Sequence, residues 1–462
     1  MEALGVIGKM LGVQSRSFGF AGTKDKRAVT TQRVTVYKQH ASKVAALNKR
    51  LIGMKVGDFC HVNEALVLGQ LQGNQFTITL REVVADSEAI IKDAVNSLGK
   101  HGFINYFGLQ RFGSGSVPTH LVGAALLRGE WESAVNLILD PRDGERDSIK
   151  EVRDYYKENG DIEGTLRQLP RQMVAERAIL QCLKNHPGNF LQALKSIPRT
   201  LRMMYVHSYQ SYLWNHAASV RVQKYGSNDI IVGDLVCCKE NFMEEESIEI
   251  DLELEEDIDC GLHHDSNEKE LSKMNTLDRN NALVKVVTEK DISSGMYTIH
   301  DVILPMPGCR IMYPENSVTD VYHDMAKKDA INLKNSAHNV KEFSITNMTG
   351  SYRRVLQKLI DFKWELMKYA NADESLAETD VDRIAGAKLS AKEPMINNLC
   401  VGEDGIEQRA GDEADRTSSS SLTALRLSFA LPSSTYATMA VRELLKSSTS
   451  AAFHKSLNSV FK

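Results

Sequence analysis

A short polar segment near the start of the chain places one acid among three cations. The acid is Asp25, and the cations are Lys24, Lys26 and Arg27. Opposite charges at such short range keep a carboxylate ionised, and an ionised carboxylate can act as a nucleophile or as a base. Gly22 predicts a local backbone conformation that other residues resist. The alternative interpretation is a solvated turn in which Asp25 only forms salt bridges, and the spacing alone favours that alternative.

A second segment, residues 105–113, mixes aromatic side chains with amides, an arginine and two glycines. An aromatic ring such as that of Phe107 can stack on a nucleobase, because every base has a π face. The Asn105 amide can pair with the edge of a uracil, and Arg111 can contact a phosphate. The alternative is a buried aromatic corner with glycine turns, and the residues alone favour neither interpretation.

A third segment carries polar and aromatic side chains at helical spacing. Tyr205, Ser208, Tyr209 and Tyr212 stand at i, i+3, i+4 and i+7, so they share one face of a predicted helix. Such a stripe more often reflects packing than function. The basic residues within 352–358 form either a solvated face or a contact with phosphates.

The composition is that of an ordinary globular protein. The chain has 462 residues, of which 42% are hydrophobic and 25% charged, and this length predicts two to three domains. No apolar run approaches the ~20 residues of a membrane helix. The first thirty residues lack the regions of a signal peptide, so we expect a protein that stays inside the cell.

The charge distribution permits RNA binding. Residues 244–259 contain ten acidic and no basic side chains, so the net charge of −4 becomes +6 once that run is set aside. A mildly basic remainder can present a positive groove to phosphates. The seven cysteines form no C-x-x-C pair, and Cys260 with His263 and His264 fits no zinc spacing, so we expect no metal.

Hydrophobic periodicity predicts an α+β organisation for the first hundred residues. Residues 2–11 have helical spacing and Gly12 as a stop, residues 76–80 alternate as in a strand, and residues 91–98 indicate a helix that Gly99 or Gly102 ends. Residues 118–201 are mostly helical in pattern, and residues 284–302 contain short β-rich runs. Residues 239–281 and 401–421 are polar and predict flexible insertions.

Two pieces of sequence, G-T-K-D-K-R-A and N-Y-F-G-L-Q-R-F-G, resemble signature motifs of the TruD family of tRNA pseudouridine synthases, and of its eukaryotic members in particular. Further segments match in the family's order, at residues 68–76, 205–215, 301–314, 350–365 and 431–445. The resemblance therefore covers most of the chain.

This resemblance implies a pseudouridine synthase catalytic core with a mixed, largely antiparallel sheet, interrupted by an inserted α/β TRUD domain. The core would comprise residues 1–103 and 351–462, and the insertion residues 104–350. The motif at residues 431–440 would return to complete the core. Family members normally begin with a stretch of sheet and basic residues, which we expect this chain to lack.

The resemblance also implies roles for individual residues. Asp25 would be catalytic, and Lys24, Asn105 and Phe107 would bind the substrate, with Phe107 stacked on a uracil that has left its stack. Arg111 joins them as the expected phosphate contact. The reaction breaks the N1–C1′ bond of uridine and joins C5 to C1′ without a cofactor. Asp25 could attack C1′ or C6, or remove the C2′ proton, and the sequence does not distinguish these routes.

The expected partner is RNA, with tRNA first and mRNA or snRNA as further substrates. We expect a monomer that binds no membrane and no small-molecule cofactor, located in the nucleus and also in the cytoplasm. The alternative from another class is a non-catalytic RNA-binding or chaperone protein. It is motivated by the basic remainder of the chain and by the expected lack of the family's first strands.

Overall fold

The computed structural model describes residues 2–25, 28–113, 117–142, 145–238, 284–371, 373–385 and 422–447. The chain divides into two units, of which the first comprises residues 1–99 and 359–433 and the second residues 100–358 and 434–462. Both predicted insertions, at 239–281 and 401–421, lie outside the described residues. Lys26 and Arg27, two of the cations expected beside Asp25, also lie outside them.

Helices and short antiparallel strands alternate along the described chain. The helices are α1 (Glu2–Leu11), α2 (Ala41–Ala46), α3 (Glu88–His101), α4 (Leu109–Phe112), α5 (Thr119–Arg128), α6 (Trp131–Leu139), α7 (Asp147–Asn159), α8 (Ile162–Gln168), α9 (Val174–Asn185), α10 (Phe190–Lys195), α11 (Arg199–Tyr225), α12 (Glu289–Ser294), α13 (Val318–Lys328), α14 (Asp380–Ala385) and α15 (Ala437–Leu445). The strands are β1 (Phe18–Gly19), β2 (Thr35–Val36), β3 (Gly73–Leu80), β4 (Phe103–Ile104), β5 (Leu235–Cys237), β6 (Val284–Val286), β7 (Val302–Met306), β8 (Ser351–Arg354), β9 (Leu356–Gln357), β10 (Ile360–Tyr369) and β11 (Leu422–Pro432). Single 3₁₀ turns lie at Ser15–Ser17, Leu47–Lys49, Ile299–Asp301, Lys341–Phe343 and Ile345–Asn347.

In the first unit, helix α1 follows its sequence pattern closely. It ends at Leu11, and Gly12 adopts a φ of +72°, a conformation that glycine accepts without steric cost. Ile7 and Leu11 are buried against Val44, Leu47 and Leu51. The predicted helix and its stop are therefore confirmed.

The same unit contains a three-stranded antiparallel sheet in the order β10, β11, β3. Strand β3 includes the predicted alternation over residues 76–80, and it pairs with β11 in a register that sets Asn74 opposite Leu431. The rings of Phe76 and Phe429 lie 5.7 Å apart across that pairing. Helix α3 buries its predicted apolar face and ends before Gly102, whose φ is +71°.

The second unit is built around the 27-residue helix α11, in which Tyr209 and Trp214 are fully buried. Helix α5 packs against it so closely that a Cβ on Gly123 would lie 2.1 Å from the backbone oxygen of Tyr205. Glycine is therefore required at that crossing. The predicted stripe on α11 is thus confirmed as a packing surface, since Ser208 and Tyr209 are both buried.

Two small sheets complete this unit, a four-stranded sheet in the order β6, β5, β7, β8 and a pair formed by β4 and β9. All pairings among the described strands are antiparallel, so the α+β class and the antiparallel sheets expected from the sequence are confirmed.

The β-rich pattern expected over residues 284–302 is only partly correct. Strand β6 lies there and β7 begins at Val302, but helix α12 lies between them. Thr288 and Asp291 form a reciprocal capping box at the start of α12. This local cap satisfies free N–H groups of the first turn and stabilises a helix between the two strands.

Candidate functional site

Asp25 lies in the first unit, in the stretch between β1 and β2, and its side chain is exposed. The neighbouring Lys24 is half-buried, and its Nζ donates a hydrogen bond to the Oδ1 of Asn74. Asn74 belongs to β3 and is held in the sheet opposite Leu431. The sheet therefore anchors the residue immediately before Asp25, while the carboxylate itself stays accessible to solvent.

The conformation predicted for Gly22 is wrong. The φ angle of Gly22 is not in the left-handed region. A Cβ built on Gly22 would lie 3.7 Å from Cδ2 of Leu71, an ordinary van der Waals distance. An alanine side chain would therefore fit there without a close contact. The backbone at this position therefore does not require glycine.

Asn105 lies in the second unit, directly after β4, and is only 4% exposed. Its backbone N–H donates to the carbonyl oxygen of Val355 at 2.9 Å, which extends the pairing of β4 with β9. Arg353 contacts Asn105 twice: Nε donates to the backbone oxygen at 2.8 Å, and Nη2 donates to the side-chain Oδ1 at 2.7 Å. The Asn105 amide is thus fixed by a side chain from β8.

Phe107 is held through its backbone by a reciprocal pair of hydrogen bonds from helix α11. Its N–H donates to Oδ1 of Asn215 at 2.9 Å, and Nδ2 of Asn215 donates to its carbonyl oxygen at 3.0 Å. The ring is 7% exposed and lies perpendicular to the Trp214 ring, 5.7 Å away. The Arg353 guanidinium covers the ring at 4.2 Å from its centroid. Phe107 is therefore both packed and overlaid by a cation.

Arg111 lies one turn further on, in the short helix α4. Its Nε donates to Oγ of Ser211 at 3.2 Å, and its guanidinium lies 5.6 Å from the centroid of the Phe107 ring. The structure therefore brings Asn105, Phe107 and Arg111 together in the second unit. Lys24 and Asp25 belong to the first unit.

Sequence reasoning did not place four residues of this cluster: Arg353, Trp214, Asn215 and Tyr436. Tyr436 precedes α15 and contacts the Phe107 ring edge-on at 6.3 Å. Nε1 of Trp214 donates to the carbonyl oxygen of Leu304 at 3.1 Å, and Leu304 is the strand partner of Arg353. All four residues lie within segments that resemble the family, at 205–215, 350–365 and 431–445. That resemblance could have identified them as candidates for the site.

Metal and membrane features can be assessed for the described ranges only. Within them, no three side chains among His, Cys, Asp and Glu lie close enough together to hold a metal ion. Among the helices that the structure describes, none is long and apolar enough to cross a membrane. Five cysteines in this part of the chain are free thiols, whereas Cys260 and Cys400 lie outside it.

Comparison with known proteins places the chain in a family. The family model for tRNA pseudouridine synthase D (TruD) matches residues 1–377. Multisubstrate pseudouridine synthase 7 of Schizosaccharomyces pombe is 36% identical over 469 residues, covering 99% of this chain and 62% of that protein. The pseudouridylate synthase 7 homolog of Homo sapiens is 33% identical over 463 residues, covering 100% of this chain and 59% of that protein. The chain belongs to the TruD family, which confirms the resemblance drawn from its two motifs.

A crystal structure assigned to tRNA pseudouridine synthase D of Methanosarcina mazei has the same fold. It superposes with a TM-score of 0.61 at 22% identity, covering 96% of this chain and 85% of that one. The chain spans about three fifths of the length of the S. pombe and human relatives.

Proposed function

We propose that this protein isomerises uridine to pseudouridine in tRNA, with mRNA or snRNA as further substrates, and needs no cofactor. Membership of the TruD family supports the reaction. The observation that carries the proposal is the family motif around Asp25, whose side chain is exposed directly after Lys24, the residue that anchors this stretch to β3. An accessible acid on an anchored backbone suits attack on a substrate atom or removal of a proton from it.

The proposed chemistry rearranges one nucleotide. The N1–C1′ bond of uridine breaks, the base turns, C5 bonds to C1′, and the proton lost from C5 is balanced by the proton gained at N1. Asp25 would act as the nucleophile at C1′ or C6, or as the base at C2′. All three routes place the carboxylate next to the ribose or the base, so each requires that the target nucleotide leave its stack.

We assign substrate binding to the cluster around Asn105. Asn105 would contact the uracil edge and Phe107 would supply aromatic surface to the base. Arg111, which lies beside that ring, would contact a phosphate. Lys24, which belongs to the first unit with Asp25, would also bind the substrate.

We further propose that residues 104–350 form the inserted TRUD domain and that residues 1–103 and 351–462 form the catalytic core. The first unit joins residues 1–99 and 359–433 across the contiguous stretch 100–358, and this supports an insertion of this kind, whereas residues 434–462 fall in the second unit. The proposed core also contains the antiparallel sheet of β3, β10 and β11.

The test uses unmodified tRNA transcripts incubated with the purified protein, with pseudouridine mapped by chemical probing. The wild-type protein should form pseudouridine, and Asp25→Asn should lower the rate by at least about 10²-fold, the usual contribution of a positioned acid or base. Asp86→Asn removes another exposed carboxylate of the first unit and should leave the rate unchanged. Equal product from the wild type and Asp25→Asn would refute the role of Asp25. Binding of tRNA without any product would favour a non-catalytic RNA-binding protein.

A further inference from the structure

The orientation of the Asn105 amide is determined by its neighbour. A guanidinium can only donate hydrogen bonds, so the amide atom that lies 2.7 Å from Nη2 of Arg353 has to be the acceptor, Oδ1. Nε of the same guanidinium donates to the backbone oxygen of Asn105 at 2.8 Å. This two-point contact fixes both the backbone and the side chain, and it leaves the amide nitrogen Nδ2 on the opposite side of the amide.

The Nδ2 donor of Asn105 has no hydrogen-bond partner within the described part of the chain. The residue as a whole is 96% buried, because only 4% of its surface is exposed. Nδ2 is not among the fully buried side-chain atoms that lack a partner in the described chain, so it keeps contact with solvent and a ligand can reach it. A ligand that brings an acceptor to Nδ2 would replace its hydrogen bond with water. The amide nitrogen is therefore directed at an acceptor that the protein itself does not supply.

We propose that Arg353 is a positioning residue that locks the Asn105 amide with Nδ2 toward the base and so selects a uracil carbonyl over a cytosine amino group. The inference rests on the proposed function, because it takes Asn105 as the residue that meets the base. Uracil offers the O4 acceptor where cytosine offers the N4 donor. With Oδ1 held by Arg353, a cytosine would set two donors against each other, whereas an amide free to rotate could accept from N4.

Arg353 stays in place when a base binds. Its guanidinium donates to both oxygens of Asn105, its Nη1 donates to the carbonyl oxygen of Ser434 at 2.8 Å, and its plane covers the Phe107 ring. Hydrogen bonds from a charged group are stronger than neutral ones, and one stack of a base on Phe107 does not offset the loss of all of them. The guanidinium therefore lines the site, and the substrate does not displace it.

The test compares the affinities of two labelled RNA oligomers of ~10 nucleotides, oligo(U) and oligo(C), by fluorescence anisotropy. Phosphate contacts are the same in both, so the ratio of the two dissociation constants isolates base selection. We expect the wild-type protein to prefer oligo(U) by about tenfold or more, the factor that one good hydrogen bond supplies. Arg353→Met should bring the ratio several-fold closer to one, and Arg353→Lys, which keeps a donor, should retain most of the preference.

The matched control is Arg354→Met. Arg354 is the next residue on β8, is exposed, and donates to the carbonyl oxygen of His300 rather than to Asn105. Its loss removes the same charge, so both affinities should fall by the same factor and the ratio should not change. A melting temperature for each variant separates a change in selection from a change in folding.

Two outcomes overturn the inference: a wild-type protein that does not prefer oligo(U), or an Arg353→Met ratio that equals that of Arg354→Met. If Arg353→Met fails to fold, Asn105→Asp decides, because it keeps the acceptor for Arg353 and replaces the donor by a second acceptor. It should abolish or reverse the preference, and an unchanged preference would refute the proposal. A wild-type protein that selects oligo(U) but modifies no tRNA would refute the proposed function alone.

Discussion

Nη2 of Arg353 donates to Oδ1 of Asn105 at 2.7 Å, although 248 residues separate the two along the chain. The contact exists because β8 carries Arg353 beside β7 and because the backbone of Asn105 continues the pairing of β4 with β9 through Val355. Two strand pairings thus bring a cation and an amide of distant segments into one rigid contact. The proposed selection of uracil depends on this contact.

The Phe107 ring should serve both folding and turnover. Phe107→Ala removes a buried ring and should lower the free energy of unfolding by about 3–5 kcal/mol, whereas Phe107→Leu keeps most of the volume and should cost less. In Phe107→Leu we expect slower pseudouridine formation with tRNA affinity largely kept, because phosphate contacts dominate affinity. Rates and dissociation constants on tRNA transcripts measure the two effects. Phe112→Leu, at an aromatic ring that packs on His120, is the control, and an equal loss of rate in both variants would argue against a pocket role for Phe107.

The anchor between Lys24 and Asn74 should appear as an energetic coupling. A hydrogen bond from a charged group contributes about 1.5–3 kcal/mol, and solvent around the half-buried Lys24 reduces this to about 1 kcal/mol. Lys24→Met and Asn74→Ala should each lower the free energy of unfolding by that amount, and the double variant should lose little more than either one. Urea denaturation measures all three. If Lys24 also binds substrate, Lys24→Met will slow turnover more than Asn74→Ala does, and equal rates would limit Lys24 to anchoring.

Removal of one partner of a buried ion pair should strongly destabilise the second unit. The side chains of Arg221 and Asp234 are 0% and 1% exposed and lie 2.7 Å apart. Arg221→Met leaves the buried Asp234 carboxylate without its cation and should lower the free energy of unfolding by about 3–5 kcal/mol. Lys184→Met breaks a surface pair with Glu163 at 2.6 Å and should cost less than about 1 kcal/mol. Urea denaturation compares the two, and similar losses would contradict the assignment of a structural role to the buried pair.

His120 should make the second unit less stable in acid. Burial lowers the pKa of His120 below its ordinary value of 6.5, with an opposing effect from Asp329 and a smaller lowering from His216. As the pH falls through 6.5, the unfolded chain therefore binds a proton that the folded chain resists, and the free energy of unfolding falls. His120→Phe keeps a ring on Tyr212, which stacks at 4.2 Å, and removes the titration. Melting temperatures recorded above and below pH 6.5 should depend less on pH in this variant; an unchanged slope would rule out His120 as a source. Some slope will remain, since burial lowers the pKa of His216 as well.

Local sequence was sufficient for several elements and for the chemical motifs. Helix α1 with its stop at Gly12, strand β3 and the packed stripe of α11 follow from periodicity, because each signal lies within a single helix or strand. The two motifs also identified the family, because each is a contiguous stretch whose residue types and order can be compared without a structure. The roles of Asp25, Asn105 and Phe107 remain predictions that the proposed experiments address.

Tertiary structure alone decided how those motif residues are held. The sequence left Arg353 as either a solvated cation or a phosphate contact, yet it lies over Phe107 and fixes Asn105. It also left residues 105–113 balanced between a base site and a buried aromatic corner, and the fold buries both Asn105 and Phe107. Such contacts escape a linear pattern because strand pairing and helix packing join residues whose separation along the chain carries no periodic signal.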